Sequence, residues 1–161
     1  MTKCVVVAGG NLGDVKARIE KAAILIDERI GHILGTSSFL RSESWGFSSD
    51  DFTNQAFVLS TGLSPGEVLV KLEQIEGELG RNKKKEILYK SATGQSYAPR
   101  EIDLDIILYG EERISSEKLR IPHPRATKRD FVLKTVSEAL GINENELIKK
   151  IQTIENGKED I

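Results

Sequence analysis

The sequence predicts an α+β fold in which four strands and two helices follow the order βαββαβ, with further helices after the last strand. Three observations lead to this prediction. Residues 3–9 are apolar and largely β-branched, residues 15–30 and 65–79 repeat apolar side chains at helical spacing, and residues 101–108 alternate polar and apolar side chains. This order is that of the ferredoxin-like fold, an antiparallel sheet with both helices packed on one face.

Each element has its own signal in the sequence. Strands are predicted where short runs are apolar or alternate with period two, at residues 3–9, 33–41, 52–61 and 101–109. Helices are predicted where apolar residues recur at helical spacing, at 15–30, 65–79, 131–140 and after 143. Asp14 can cap the first helix, and Ser64 with Glu67 forms a capping box for the second. Gly31 and Gly80 end these two helices.

Two segments have no sustained period. Residues 42–51 are polar and irregular but contain Trp45 and Phe47, which either anchor this loop to the core or contact a ligand. Residues 81–98 form a longer loop that contains three consecutive lysines, a run typical of a solvated face, and joins the scaffold at an arginine on each side. Long irregular segments inside a compact domain are usually functional lids or disordered, and we expect a lid here.

Composition limits the class of protein. The 161 residues suit one domain over residues 1–161, in which the polar end, residues 152–161, has little to bury and is expected to fray. A net charge of −2 argues against a nucleic-acid or anionic-membrane partner. The single cysteine, Cys4, lies in an apolar run and is expected to be buried. We expect a cytoplasmic monomer that binds small molecules, neither nucleic acid nor membrane.

The alternating strand carries two acids on one parity, Asp103 and Asp105. Two strand rises separate them by roughly 6.5–7 Å, and carboxylates at this spacing can together hold hard divalent cations that also bind phosphate oxygens. An Asp-x-Asp pair on its own is more often a solvated strand edge. Aspartate is a poor strand former, however, and nearby cations and a histidine favour a functional site.

The other polar candidates are basic. They are Arg81, Arg100, His123 and Arg129. Paired carboxylates for metal ions together with arginines suit a polyphosphate substrate, because both neutralise phosphate charge. The sequence offers no arrangement typical of a covalent nucleophile and no zinc-type cluster. We therefore expect direct transfer between two bound substrates, with the lid excluding water.

The joined motifs resemble those of the 6-hydroxymethyl-7,8-dihydropterin pyrophosphokinase family. The matching stretches, in chain order, are GNLG at 10–13, DFTN at 51–54, EGELGR at 76–81, REIDLD at 100–105, IPHPR at 121–125 and RDFVL at 129–133. The similarity covers nearly all of the chain up to about residue 140. It implies transfer of an intact pyrophosphate from ATP to the pterin hydroxymethyl group, with release of AMP, in folate biosynthesis.

The resemblance also implies residue roles. Asp103 and Asp105 would hold two Mg²⁺ ions, and Arg81 and Arg100 would bind phosphates as the lid closes. Nucleotide contacts are implied for Glu76, His123 and Arg129. Pterin contacts are implied for Ser42, Glu43, Trp45, Phe52, Asn54 and Phe131, with the two phenylalanines stacking on the ring. Without the family, ordinary core packing would be the preferred explanation for both phenylalanines.

Two other functions compete with this one. A two-metal nucleotidyltransferase or phosphohydrolase would use the same acid pair, but it would release pyrophosphate or phosphate and would not require a pterin. A non-catalytic ferredoxin-like module would bind a small ligand without turnover, and its affinity would not depend on Asp103 or Asp105.

Overall fold

The computed structural model describes residues 1–42 and 51–157, and its elements largely follow the predicted order. The strands are β1 (Thr2–Gly10), β2 (Gly31–Thr36), β3 (Leu40–Ser42), β4 (Phe52–Thr61), β5 (Asp103–Tyr109), β6 (Ile114–Ser115) and β7 (Arg120–Ile121). The helices are α1 (Val15–Arg29), α2 (Pro65–Glu78), α3 (Lys83–Thr93), α4 (Asp130–Leu140) and α5 (Glu144–Asn156). None of these helices, in the part of the chain described, is long and apolar enough to cross a membrane.

The main sheet is antiparallel and has β1 near its centre. Its strand order is β2-β4-β1-β5, and β3 pairs with the end of β4 beyond β2. β1 is buried along most of its length because it has a strand on each side and helices on both faces. β6 and β7 form a separate two-stranded ribbon.

Helices cover both faces of the sheet. On one face, Cys4 and Val6 of β1 share a core with α1 and α2, and Cys4 is fully buried as predicted. On the other face, Val5 and Val7 share a core with α4 and α5. The helices predicted as C-terminal additions thus form a complete second layer. The polar cavity described below lies at one end of that layer.

β5 contains a β-bulge that the sequence pattern did not reveal. Val5 pairs with Leu108 and Val6 with Ile106, so Ile107 is an extra residue in β5. The alternation predicted Leu108 on the same face as Ile106. This is wrong, because the bulge reverses the parity and places Ile107 and Leu108 in the core beneath α4 and α5.

The strand predicted over 33–41 is divided into β2 and β3. Ser37 causes the break, because its N–H donates to the Ala56 carbonyl while its hydroxyl accepts from the Ala56 N–H. The next residue, Ser38, donates its N–H to the Glu138 carboxylate instead of to a strand. Side-chain bonds of this kind interrupt a ladder locally.

The segment predicted as an irregular loop contains α3. Asn82 caps this helix by accepting from the Lys85 N–H at 3.0 Å, and Gly94 ends it in the left-handed conformation with φ of 71°. Within α3 the structure buries Glu86 and leaves Ile87 and Leu88 largely exposed. An apolar stripe is therefore missing from this part of the chain, which is why helical periodicity did not predict the helix.

The prediction that the chain frays from residue 152 onward is wrong for residues 152–156, which are helical. α5 continues to Asn156 because Ile154 is buried and extends the stripe begun by Leu147 and Ile151. Residues 158–161 lie outside the described part of the chain.

Candidate active site

The polar ends of β1, β4 and β5 and the first turn of α4 enclose a cavity of about 730 Å³. Its charged lining residues are Arg41, Arg100, Asp103, Asp105, Arg125, Lys128, Arg129, Asp130 and Lys134. Its aromatic lining residues are Phe52, Tyr97 and Phe131. A cavity that combines aromatic walls with a surplus of cations suits a ligand that is flat at one end and anionic at the other.

Asp103 and Asp105 lie side by side in this cavity, opposite Gly9 and Val7 of the central strand. β5 is an edge strand, yet both acids are only partly exposed. The Asp103 carboxylate accepts from Arg81 Nη1 at 3.0 Å and lies 3.6 Å from Arg100 Nη1. Burial raises the pKa of Asp105 well above its ordinary value, and the negative charge of Asp103 raises it further.

Arg81 lies behind the acid pair, surrounded by carboxylates. Its Nε donates to Glu86 at 3.1 Å, and its Nη1 donates to Glu76 at 2.9 Å as well as to Asp103. Burial alone would lower the pKa of Arg81, but these hydrogen bonds and charges outweigh it and raise the pKa. In the part of the chain that the structure describes, neither Arg81 nor Glu76 lines the cavity.

Glu76 supports the backbone between the two acids. It is 4% exposed, and its carboxylate accepts from the Leu104 N–H at 2.7 Å in addition to Arg81. Burial raises the pKa of Glu76 to about 7, against the lowering effect of Arg81. Its position fits a support for the acid pair better than a direct nucleotide contact.

Arg100 and His123 both reach the cavity. The Arg100 guanidinium donates from Nε and Nη2 to the Ala98 carbonyl, each at 3.2 Å, which leaves Nη1 directed at Asp103. His123 Nδ1 accepts from the Arg125 N–H at 3.2 Å, and burial together with the charge of Arg129 lowers the pKa of His123. The imidazole is therefore neutral near pH 7 and carries its proton on Nε2, where it can donate to a ligand.

Arg129 is the last residue before α4 and occupies its N-cap position. Its Nη2 lies 3.5 Å from the Tyr97 hydroxyl, and its guanidinium lies 5.7 Å from the centroid of the Phe131 ring. Burial lowers the pKa of Arg129, although the charges of Asp105 and Asp103 oppose this. The structure thus brings a cation, an aromatic face and the acid pair into one cavity.

The other end of the cavity is formed by β3, β4 and α4. Phe52 and Phe131 line it, and Ser42 pairs with Phe52 in the sheet. Asn54 is 3% exposed and donates from Nδ2 to the Ser42 hydroxyl at 2.8 Å. Two further predicted contacts, Glu43 and Trp45, lie outside the described residues.

Asn54 occupies the space that a side chain at Gly9 would need, which gives a testable prediction. A Cβ added at Gly9 would lie 2.5 Å from Asn54 Oδ1, closer than any normal contact. We expect Gly9→Ala to lower the free energy of unfolding in urea by about 1–3 kcal/mol, because the crowded core side chain must move. Gly66→Ala is the matched control, since a Cβ there has nothing within 4 Å and should not destabilise α2. Equal stability of the two variants would contradict the prediction.

The family model described as 7,8-dihydro-6-hydroxymethylpterin-pyrophosphokinase matches residues 5–141. This chain belongs to that family. The resemblance seen in the sequence motifs is confirmed, and with it the class of enzyme, an ATP-dependent diphosphotransferase.

Relatives in this pyrophosphokinase family are identical to the chain at 33% to 36% of the aligned residues. The 2-amino-4-hydroxy-6-hydroxymethyldihydropteridine pyrophosphokinase of Porphyromonas gingivalis is 36% identical over 132 residues, which are 81% of this chain and 85% of that protein. The Bacillus subtilis protein of the same name is 33% identical over 132 residues, which are 81% of this chain and 73% of that protein.

Solved structures support the fold. The wild-type Plasmodium falciparum HPPK-DHPS protein with pteroate superposes with a TM-score of 0.67 at 14% identity, covering 99% of this chain. This chain spans 46% of the length of that structure. At this identity the likeness concerns the fold alone.

Sequence reasoning missed several residues of the cavity wall. Arg125, Lys128 and Lys134 line it, as does Tyr97 near the end of the segment predicted to be a lid. Arg125 stands in the IPHPR motif, and Lys134 follows Phe131 by three residues on one helix face, so both had a positional signal.

A second cavity of about 240 Å³ adjoins the first and shares Asp105 and His123 with it. Its apolar lining residues are Leu69, Leu104, Ile106 and Leu119, and its charged ones include Glu117, Lys118 and Arg120. The ribbon of β6 and β7 supplies part of this wall, and these very short strands had no detectable sequence pattern.

The acid pair fits the Mg²⁺ that the pyrophosphokinase family requires. Burial and then the charge of Asp103 raise the pKa of Asp105, and a divalent cation held by the pair would favour the ionised form of both carboxylates. Among the described residues there is no cluster of three or more acidic, histidine or cysteine ligands. The pair therefore suits Mg²⁺ bound by few protein ligands, with water and substrate phosphates completing the coordination.

Proposed function

We propose that this chain transfers the pyrophosphoryl group of ATP to the hydroxymethyl group of 6-hydroxymethyl-7,8-dihydropterin, in folate biosynthesis. The hydroxyl oxygen forms a bond to the β-phosphorus, the bond from that phosphorus to the α,β-bridging oxygen breaks, and AMP leaves as the hydroxyl proton is lost. The observation that carries this proposal is one cavity that joins an acid pair, a cationic wall and two aromatic side chains.

We further propose that Asp103 and Asp105 hold two Mg²⁺ ions. Bound there, Mg²⁺ would neutralise phosphate charge and lower the pKa of the acceptor hydroxyl. The pairing of Asp103 with Arg81 and Arg100 supports this role, because it orients one carboxylate before ligands arrive.

The phosphate-binding role falls to the basic residues. Arg100 and Arg129 line the cavity next to the acids, and neutral His123 can donate from Nε2. Arg81 is engaged with Glu76, Glu86 and Asp103, so binding a phosphate requires it to exchange at least one of these carboxylates. Glu76 contributes indirectly, because its carboxylate accepts hydrogen bonds from Arg81 and from the Leu104 N–H. The adjoining cavity, which has both apolar and charged lining residues, suits the nucleoside part of ATP.

The pterin end of the cavity is the wall formed by Phe52, Phe131 and Asn54. A flat heterocycle between two phenylalanines would gain stacking and burial. Asn54 already donates to Ser42, so these two side chains form one polar unit that can meet the pyrimidinone edge. Glu43 and Trp45 are proposed to complete this wall.

The strand order and antiparallel pairing support the ferredoxin-like arrangement as the core of the fold, extended by α3, α4 and α5. We also propose a monomer that binds ATP and pterin and has no nucleic-acid or anionic-membrane partner, which a net charge of −2 does not favour. We propose that it acts in the cytoplasm.

The direct test is to incubate the protein with ATP, Mg²⁺ and 6-hydroxymethyl-7,8-dihydropterin and to identify the nucleotide released. We expect AMP in amounts equal to the pterin diphosphate, and none when the pterin or Mg²⁺ is omitted. Release of ADP or of free pyrophosphate would point to another phosphoryl- or nucleotidyl-transfer enzyme. Ligand binding without any product would indicate a non-catalytic module.

A further inference from the structure

Tyr97 and Ala98, between α3 and β5, contact three arginines that line the main cavity. The Arg125 guanidinium lies 5.4 Å from the centroid of the Tyr97 ring, and Arg129 Nη2 donates to the Tyr97 hydroxyl at 3.5 Å. The Ala98 carbonyl accepts from Nε and Nη2 of Arg100, each at 3.2 Å. One short stretch therefore contacts the cationic wall at three points.

The two residues hold these arginines through neutral groups. A ring face, a hydroxyl and a backbone carbonyl orient a guanidinium without cancelling its charge. Arg81 is held in the opposite way, by three carboxylates, and it does not line the cavity in the part of the chain described. The contacts with Tyr97 therefore do not themselves cancel the charge of Arg125 or Arg129, whereas Arg100 also lies 3.6 Å from the Asp103 carboxylate.

Other charges in the cavity also act on these arginines. Lys128 lies in the same wall as Arg125 and Arg129, and like charges in one wall repel one another. Burial lowers the pKa of Arg129, the charges of Asp105 and Asp103 raise it, and the positive charge of Arg100 lowers it. Arg129 is thus attracted by the acids and repelled by Arg100, and the contact with the Tyr97 hydroxyl restrains its guanidinium in addition.

We propose that Tyr97 is a positioning residue that sets Arg125 and Arg129 at the spacing needed to bind the phosphate chain of the nucleotide. This inference rests on the proposed function in taking ATP as the source of that chain. Tyr97 acts through the two arginines, so its contribution is to affinity for the phosphates and much less to the chemical step.

The test compares Tyr97→Phe and Tyr97→Leu with the unaltered protein. Dissociation constants are measured calorimetrically, in the presence of Mg²⁺ and without pterin, for ATP and for inorganic tripolyphosphate. Tyr97→Phe removes only the hydroxyl and should weaken both ligands about threefold. Tyr97→Leu also removes the ring face and should weaken both about tenfold. Tyr89→Phe is the matched control, since its hydroxyl bonds Gln95 within the α3 segment and should leave both affinities unchanged.

A double-mutant cycle and steady-state kinetics separate positioning from simple structural support. If Tyr97 acts through Arg129, Tyr97→Phe should have almost no effect in an Arg129→Lys background. The KM for ATP should rise with Tyr97→Leu while kcat stays within about twofold. Additive effects in the cycle, unchanged affinity in Tyr97→Leu, or loss of ATP affinity without loss of tripolyphosphate affinity would each overturn the inference.

The binding arms do not require turnover. A wild-type protein that forms no AMP with pterin would refute the proposed function, whereas the ratio of variant to wild-type affinity for tripolyphosphate would still decide the role of Tyr97.

Discussion

Asp105→Asn is expected to lower kcat for AMP formation about a thousandfold, because it removes charge from the metal-binding pair where phosphate charge must be neutralised. Asparagine keeps the shape of the side chain, so the fold should remain intact. Burial and the charge of Asp103 raise the pKa of Asp105, which means that the folded chain disfavours its ionised form. Without metal, the variant should therefore be at least as stable as the unaltered protein.

The melting temperature in the presence of Mg²⁺ and ATP provides a second measurement of the proposed metal role. Mg²⁺ with ATP should raise the melting temperature of the unaltered protein and should raise that of Asp105→Asn much less, because a ligand stabilises only the state that binds it. Glu78→Gln is a suitable control, since Glu78 pairs with Arg29 on the surface. Turnover within tenfold of wild type in Asp105→Asn would exclude the proposed metal role.

Arg81→Ala is expected to destabilise the fold by about 3 kcal/mol, because it leaves buried carboxylates without their counter-charge. The Arg81 side chain is 12% exposed and that of Glu76 is 5% exposed, so solvent can compensate little. Glu86 and Asp103 lose the same partner. The free energy of unfolding in urea at pH 7 measures the effect, and activity should fall with it.

The effect of Arg81→Ala should depend on pH in a defined direction. The penalty comes from carboxyl groups that must ionise while buried without Arg81, and burial already raises the pKa of Glu76 to about 7 in the unaltered protein. The penalty should therefore be largest above pH 7, shrink as pH falls through the range between about 7 and 4, and disappear below about 4, where these groups are protonated in the folded and the unfolded chain alike. Arg29→Ala, which breaks the exposed pair with Glu78, should have a far smaller effect at any pH. Equal destabilisation by the two variants would contradict the buried-cluster interpretation.

The fold was predictable where each element has a local signal. The predicted capping box of Ser64 and Glu67 is present, and α5 begins directly after residue 143 as predicted, with Asn143 as its N-cap. The pattern failed where non-local contacts decide. The register between β1 and β5 shifts by one residue, which makes Ile107 an extra residue in β5. In α3 the buried side chain is Glu86, which accepts from Arg81, and the helix has no apolar stripe. Hydrophobic periodicity contains no information on either contact.

The candidate site was predictable in its residue types and less so in its arrangement. The period of two placed Asp103 and Asp105 on one face, and the structure has them together in the cavity. The partners of Arg81 could not be predicted, because Glu86 lies in a segment without recognisable structure in the sequence. The contacts of Tyr97 with Arg125 and Arg129 depend on how the segment after α3 packs beside the cavity, which only tertiary structure determines.

The position of β1 between β4 and β5 has a consequence for how the chain acquires its activity. β1 pairs with residues up to Thr61 on one side and up to Tyr109 on the other. The side-chain oxygen of Asn11 accepts from the Arg100 N–H at 2.9 Å, and the two residues are 89 positions apart in the sequence. Loops of this length must close before such contacts form, which slows folding. The cavity is lined by residues from Val7 to Lys134, so it is complete only when β1, β4, β5 and α4 have all packed together.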